Sequence, residues 1–130
     1  MRQMEVTRLI RRVAAVCLLL LPVQLLADLD RANQANRAGD RETAFREYLA
    51  AARTGDPRAF GRLAGLYLYG AGTEKDYTEA YIWFGLAQET GDKYAAKFKE
   101  TAASAMSLPE IEKAEEALDL RRVQLGIGGE

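Results

Sequence analysis

Apolar residues recur at helical spacing through the chain from residue 29 onward. Ala80, Trp83, Phe84 and Ala87 stand at i, i+3, i+4 and i+7, which places them on one helical face. No segment keeps up the alternation of polar and apolar residues that is typical of a strand. The pattern predicts an all-α fold of six helices, over about 29–37, 41–53, 57–69, 77–90, 93–105 and 108–124.

Residues that favour helix ends stand at the predicted boundaries. Asp56 precedes Pro57, an N-cap followed by a proline at the first helical position, where its missing N–H costs nothing. Asp76 and Asp92 are the N-cap candidates of the next two helices. Gly55 and Gly91 stand where a helix ends in a left-handed residue, and Gly70-Ala71-Gly72 predicts a turn.

The last predicted helix has its own start and stop signals. Ser107 and Glu110 have the spacing of a capping box, in which the two residues satisfy each other's backbone N–H groups. Arg121 and Arg122 stand in the last turn, where positive charge complements the helix dipole. An amphipathic helix on a membrane surface is the alternative, but its acid-rich face disfavours anionic lipid.

The chain repeats itself at an offset of 36 residues. Asp40 aligns with Asp76, and the tripeptide at 54–56 (Thr-Gly-Asp) aligns with the identical tripeptide at 90–92. Three alanine pairs also match, and two further positions exchange one aromatic residue for another. A period of this length is typical of stacked helical hairpins.

The first 27 residues have the features of a secretory signal peptide. Four arginines precede an apolar run over 13–21, and Pro22 separates that run from a predicted cleavage site after Ala27. The run is shorter than the roughly 20 residues that cross a bilayer, so we expect no stable membrane insertion after cleavage. An uncleaved signal anchor is the alternative. The signal predicts a periplasmic or secreted bacterial protein.

Composition excludes several functional classes. The chain has 130 residues, a formal net charge of −1, no histidine and one cysteine, which lies inside the predicted signal. We therefore expect no metal site, no cofactor and no nucleic-acid partner. The serines after residue 27, Ser104 and Ser107, have no histidine to activate them, and paired carboxylates such as Glu115 and Glu116 point in different directions on a helix. We expect no catalytic residue and no enzymatic activity.

The segment 59–92 resembles the Sel-one-like repeat, a relative of the tetratricopeptide repeat. The residues that carry the resemblance are Ala59, Leu63, Tyr67, Gly70, Gly72, Asp76, Ala80, Trp83, Phe84, Ala87 and Gly91. Ala64 and Gly61 depart from the usual pattern. The resemblance implies a short right-handed α-solenoid of antiparallel helical hairpins over 28–125, with its core repeat at 57–92, a capping helix at 108–124 and a flexible tail at 126–130.

The resemblance also implies a role as a protein–protein interaction scaffold that binds an envelope protein or peptide on a concave helical face. Carried over from the tetratricopeptide pattern, the concave positions are Arg58, Gly61, Gly65, Leu68, Tyr69, Tyr94, Lys97 and Thr101. Gly61 and Gly65 stand four residues apart on one helical face, at a cost of about 1 kcal/mol each relative to alanine. This predicts close approach of a backbone, from a neighbouring helix or from a bound peptide.

Two alternatives remain open at this stage. Tyr69 and Tyr94 could stack on sugar rings, which would make the chain a non-catalytic carbohydrate- or cell-wall-binding module. About three hairpins are near the minimum for an independent array, so a homodimer through an open end is also an option. Trp83 is expected in the core because it shares a helical stripe with Phe84 and Ala87.

Overall fold

The computed structural model describes residues 29–128, together with Gln3, Glu5 and Val6 near the start of the chain. The described part consists of helices joined by short turns and contains no strand, which confirms the all-α prediction. Helix α1 covers residues 29–38. The five that follow are α2 Arg41–Arg53, α3 Pro57–Tyr69, α4 Tyr77–Glu89, α5 Ala95–Ala103 and α6 Leu108–Gln124.

The predicted caps explain where most of these helices begin. The carboxylate of Asp56 accepts a hydrogen bond from the N–H of Arg58 at 3.1 Å, and that of Asp76 accepts from Glu79 at 2.9 Å. Asp40 caps α2 in the same way through Thr43. Each cap satisfies an N–H that the first helical turn leaves unpaired.

The start of α5 differs from the prediction. We expected Asp92 to cap a helix that begins at residue 93, but the N-cap is Tyr94 and α5 begins at Ala95. The Asp92 carboxylate accepts instead from the N–H of Tyr94 at 2.9 Å, inside a turn that precedes the helix. A short polar side chain can stabilise either a turn or a helix cap, and here Asp92 stabilises the turn.

Glycine closes several helices as predicted, because only glycine adopts left-handed backbone without strain. Gly55 and Gly91 have φ angles of +85° and +99°. In the turn between α3 and α4, a side chain at Gly72 would start 2.0 Å from the carbonyl oxygen of Arg41. This turn therefore lies directly against the beginning of α2.

Helix α4 lies at the centre of the described residues and contacts α3, α5 and α6. All eight residues from Ala80 to Ala87 are buried, so the helix is covered on every side. The predicted stripe is part of this surface, and Trp83 is only 3% exposed, in contact with Phe60. The stripe did not reveal that the opposite face of α4 is buried as well.

Helix α6 covers one side of α4. Its Ala114 and Leu118 are buried, and Leu118 lies against Gly85, where an added Cβ would stand 2.6 Å from Cδ2. The predicted capping box is present, since Ser107 and Glu110 bond each other's backbone N–H groups. Ile127, inside the segment predicted as a flexible tail, packs against the core, and its N–H donates to the carbonyl of Arg122 at 2.9 Å.

The predicted signal peptide and its cleavage site lie outside the described residues, apart from Gln3, Glu5 and Val6, which are helical. Among the helices that are described, none combines the length and the apolar character that a membrane crossing requires.

Candidate functional site

Two adjoining open cavities of about 620 and 420 Å³ form a continuous groove along α3. The four residues lining both are Gly61, Arg62, Gly65 and Tyr69, and we call this feature the α3 groove. The first cavity extends towards α4 and α5 and ends at Phe84, Asp92, Tyr94 and Phe98. The second extends towards α1 and α2 and ends at Asn36, Arg41 and Tyr48.

The two glycines of the groove differ in what lies over them. A side chain at Gly61 would begin 2.6 Å from a carboxylate oxygen of Asp92, so a residue of this chain accounts for its absence. A side chain at Gly65 would meet nothing within 4 Å. A mid-helix glycine costs about 1 kcal/mol relative to alanine, and no packing contact among the described residues offsets that cost at Gly65.

One end of the groove is aromatic. The rings of Phe84 and Phe98 stack with their centroids 5.5 Å apart. Tyr94 is 61% exposed and Tyr69, which lies nearer the middle, is 66% exposed. Aromatic rings at this exposure offer apolar area at little cost in conformational entropy, which suits them to binding.

The other end is basic. The hydroxyl of the buried Tyr48 donates to Oδ1 of Asn33 at 2.6 Å, and burial raises the pKa of this phenol, while the positive charges of Arg62, Arg37 and Arg41 oppose that rise. Arg41 and Arg62 line this end of the groove together with Tyr48, and Arg37 adds positive charge from α1. Within residues 29–128 none of the three forms an ion pair, although Arg41 donates a hydrogen bond to Asn36.

Arg58 differs from these arginines because it is already engaged. Its Nε and Nη2 donate to the two carboxylate oxygens of Asp56 at 3.0 and 2.7 Å. This hydrogen-bonded guanidinium holds the pKa of Asp56 below its usual range. Arg58 thus supports the cap of α3 while it lines the groove.

The structure brings five of the eight predicted concave residues together in the groove: Arg58, Gly61, Gly65, Tyr69 and Tyr94. Leu68 is 4% exposed and lies in the core, so its place on a binding face was wrong. It faces inward because α3 buries Ala64 and Leu68 on one stripe.

Lys97 and Thr101 are exposed on α5 but line neither cavity of the groove, and the Thr101 hydroxyl donates to the carbonyl of Lys97. Phe98 takes their place in the lining. No motif or spacing in the sequence marks Arg41, Arg62 or Phe98 as groove residues. The sequence around an arginine does not show whether a carboxylate will pair with it, because that depends on which helices come into contact.

A further cavity of about 530 Å³ lies where α2, α4 and α6 meet. Glu79 and Trp83 form its floor. The Glu79 carboxylate accepts from Trp83 Nε1 at 3.0 Å and from Arg121 at 2.7 and 3.2 Å, and the Arg121 guanidinium stacks 4.9 Å from the indole centre. These groups satisfy one another, so they account for α6 docking on α4 rather than for a ligand site.

The described residues contain no group of histidine, cysteine and carboxylate side chains that could hold a metal ion. Comparison of the chain with known proteins finds no matching family model, no matching curated protein and no matching solved structure. The resemblance to the Sel-one-like repeat therefore stays a prediction.

Proposed function

We propose that this chain is an exported interaction scaffold, a short α-solenoid of the Sel-one-like type that binds a protein or peptide segment in the α3 groove. Support for the repeat arrangement comes from local structure at the 36-residue offset. Asp40 and Asp76 make the same cap to the N–H three residues on, and Gly55 and Gly91 end α2 and α4 in the same left-handed conformation. Successive helices from α2 to α5 also contact in chain order.

The observation that carries the proposal is the open space over Gly65. A helix that keeps a glycine facing a groove leaves room for another backbone to approach closely. Tyr69 and Tyr94 stand beside this space with most of their surface exposed. An open groove suits an extended segment better than a small molecule, which binds in sites that enclose most of its surface.

The partner belongs in the cell envelope under this proposal, because the predicted signal peptide would export the chain. The test uses protein purified from cells that express the whole 130-residue sequence. Crosslinking in the native envelope identifies attached proteins, and peptides that tile the captured partner are then measured for binding by fluorescence anisotropy.

Gly65→Leu fills the groove without removing a contact, so we expect binding to fall by about tenfold or more while the helical melt is retained. Ala50→Leu is the matched control, because it adds a similar side chain at an exposed position of α2 outside the groove. Equal binding by the two variants would remove the α3 groove as the binding face.

The second candidate, a carbohydrate- or cell-wall-binding module, has one specific observation in its favour. Tyr94 is 61% exposed, and Lys93 Nζ lies 4.9 Å from its ring centre. An aromatic ring at this exposure can stack on a sugar ring. Binding of the purified chain to isolated peptidoglycan, lost in Tyr94→Ala and retained in Gly65→Leu, would favour this candidate over the scaffold.

A further inference from the structure

We propose that the segment bound in the α3 groove is acidic at one end and apolar at the other, with its carboxylates at Arg41 and Arg62 and its apolar side chains on Phe98 and Tyr94. The inference rests on the proposed function and specifies the chemistry of its partner.

The α1–α2 end of the groove carries unpaired positive charge. Arg41 and Arg62 line the same cavity beside Tyr48, and no carboxylate within residues 29–128 pairs with either of them. Like charges that line one cavity repel one another, and a bound anion relieves that repulsion. Arginine also presents a planar fork that matches a carboxylate.

Arginines on the other side of the molecule are arranged differently. Arg121 pairs with Glu79, and Arg122 pairs with both Glu89 and Asp119. The chain thus supplies carboxylate partners where arginine holds two helices together and supplies none at the basic end of the groove. The difference favours an anion from another molecule.

The opposite end of the groove excludes a purely anionic ligand. Its one lining carboxylate, Asp92, lies over Gly61 and accepts the N–H of Tyr94, so it places negative charge beside the aromatic rings. Phe98 stacks there on the buried Phe84, and Phe98 and Tyr94 offer apolar area. A ligand with acidic groups throughout would meet Asp92 unfavourably, whereas an apolar segment would bury its surface on the rings.

The experiment compares three fluorescein-labelled peptides of equal length by anisotropy, using the chain from cells that express the whole sequence. The first has a run of glutamates beside a phenylalanine and a leucine. The second has lysines in place of the glutamates, and the third keeps the glutamates but has glycines in place of the two apolar residues. We expect the first to bind best, with an affinity that falls as salt is raised, because salt screens exposed charges.

Arg62→Glu is the diagnostic variant, because Arg62 is exposed and makes no ion pair within residues 29–128. We expect it to weaken the first peptide by about tenfold and to strengthen the lysine peptide. Arg46→Glu is the matched control. It makes the same charge change on α2, where Arg46 donates a hydrogen bond to Thr43 and lies outside the groove, and we expect less than about a twofold change.

The outcomes separate this inference from the proposed function. Equal binding of the glutamate and lysine peptides, or unchanged binding in Arg62→Glu, overturns the inference while the scaffold function stands if Gly65→Leu still abolishes binding. If the third peptide, which lacks the two apolar residues, binds as tightly as the first, the proposed apolar contact with Phe98 and Tyr94 is wrong. Binding by none of the three, with the chain folded by circular dichroism, overturns the inference, and the scaffold function is then decided by the Gly65→Leu test with the captured partner.

Discussion

Gly65 in α3 and Gly85 in α4 both stand in mid-helix, and the surroundings of these two glycines are opposite. Leu118 of α6 packs on Gly85 of α4, and the ion pairs Arg121–Glu79 and Arg122–Glu89 join the two helices. Gly65 of α3 faces open space beside arginines that have no carboxylate partner among residues 29–128. We call the first region the closed face and keep the name α3 groove for the second.

The difference separates a glycine that a side chain of the same molecule covers from a glycine that is left open. On the closed face, the missing side chain is replaced by Leu118, so the conformational cost of glycine is offset inside the molecule. At Gly65 in the α3 groove, nothing within the described chain offsets that cost. Glycine at a helical spacing is therefore ambiguous in a sequence, and only the surrounding contacts distinguish the two uses.

Removing the side chain that fills the closed face should have the largest effect. Leu118→Ala is expected to cost about 2–5 kcal/mol of unfolding free energy, because Leu118 is only 2% exposed and its loss leaves a cavity against Gly85. Urea denaturation followed by circular dichroism measures the change. Tyr94→Ala in the groove should stay within about 0.5 kcal/mol, because Tyr94 is mostly exposed. Similar losses of unfolding free energy from the two substitutions would contradict the difference between the closed face and the α3 groove.

Adding one methyl group at each glycine tests the comparison directly. Gly85→Ala should destabilise the fold by about 1–3 kcal/mol, because the new Cβ would stand 2.6 Å from Leu118 and force a shift. Gly65→Ala should stabilise it by about 1 kcal/mol, because alanine is the better helix former and the space is empty. Thermal melts of the pair give both signs, and a loss of stability in Gly65→Ala would show that the groove is closed in solution.

The polar contacts of the closed face should matter less than its packing. Glu79→Ala leaves Trp83 Nε1 and the Arg121 guanidinium without their acceptor, and we expect a cost of about 1–2 kcal/mol. Glu116→Ala is the control, since Glu116 is exposed on α6 and has no partner among the described residues. Equal unfolding free energies for the two variants in chemical denaturation would show that the hydrogen bonds of Glu79 do not stabilise the fold.

The smallest expected effect is a dependence on pH. The Tyr81 hydroxyl, followed by Lys99, lowers the pKa of Glu115 below its ordinary value of 4.5. The folded state thus favours the ionised form. The stabilisation is fully present above pH 4.5 and is lost as the pH falls through the lower folded-state value.

Urea midpoints measured between pH 7 and pH 2 check this dependence. The urea midpoint of the unmodified chain should exceed that of Glu115→Gln at neutral pH, and this difference should become smaller in acid. Glu116→Gln changes the neighbouring exposed carboxylate and is the control. At neutral pH its urea midpoint should stay close to that of the unmodified chain and above that of Glu115→Gln. A difference between the unmodified chain and Glu115→Gln that is constant across the range would remove Glu115 as a source of acid sensitivity.

Local chemistry made the helix boundaries predictable. Asp56 with Pro57, Asp76, and Ser107 with Glu110 act within one turn of the chain, so α3, α4 and α6 begin where the sequence predicts. The start of α5 was displaced by two residues because Asp92 stabilises a turn. Both outcomes concern atoms only a few residues apart.

The candidate site was less predictable because it depends on contacts between distant segments. The glycine pair and the exposed tyrosines could be identified at helical spacing, and Leu68 was placed wrongly because that spacing does not say which flank of the stripe is covered. The basic end brings together residues from α1, α2 and α3. Nothing near Arg62 in the sequence indicates that it lacks a carboxylate partner.

The turn at Gly72 contacts the backbone of Arg41, a residue that lines the basic end of the α3 groove. The Cα of Gly72 lies so near the Arg41 carbonyl that any larger residue would have to displace either the turn or the first residues of α2. Arg41 would move with that displacement. We therefore expect related chains to vary freely in the outer surface of α6 and to resist change, by substitution or by insertion, at this one glycine, because a lengthened turn there would move Arg41 and reshape the basic end of the α3 groove before it altered whether the protein folds.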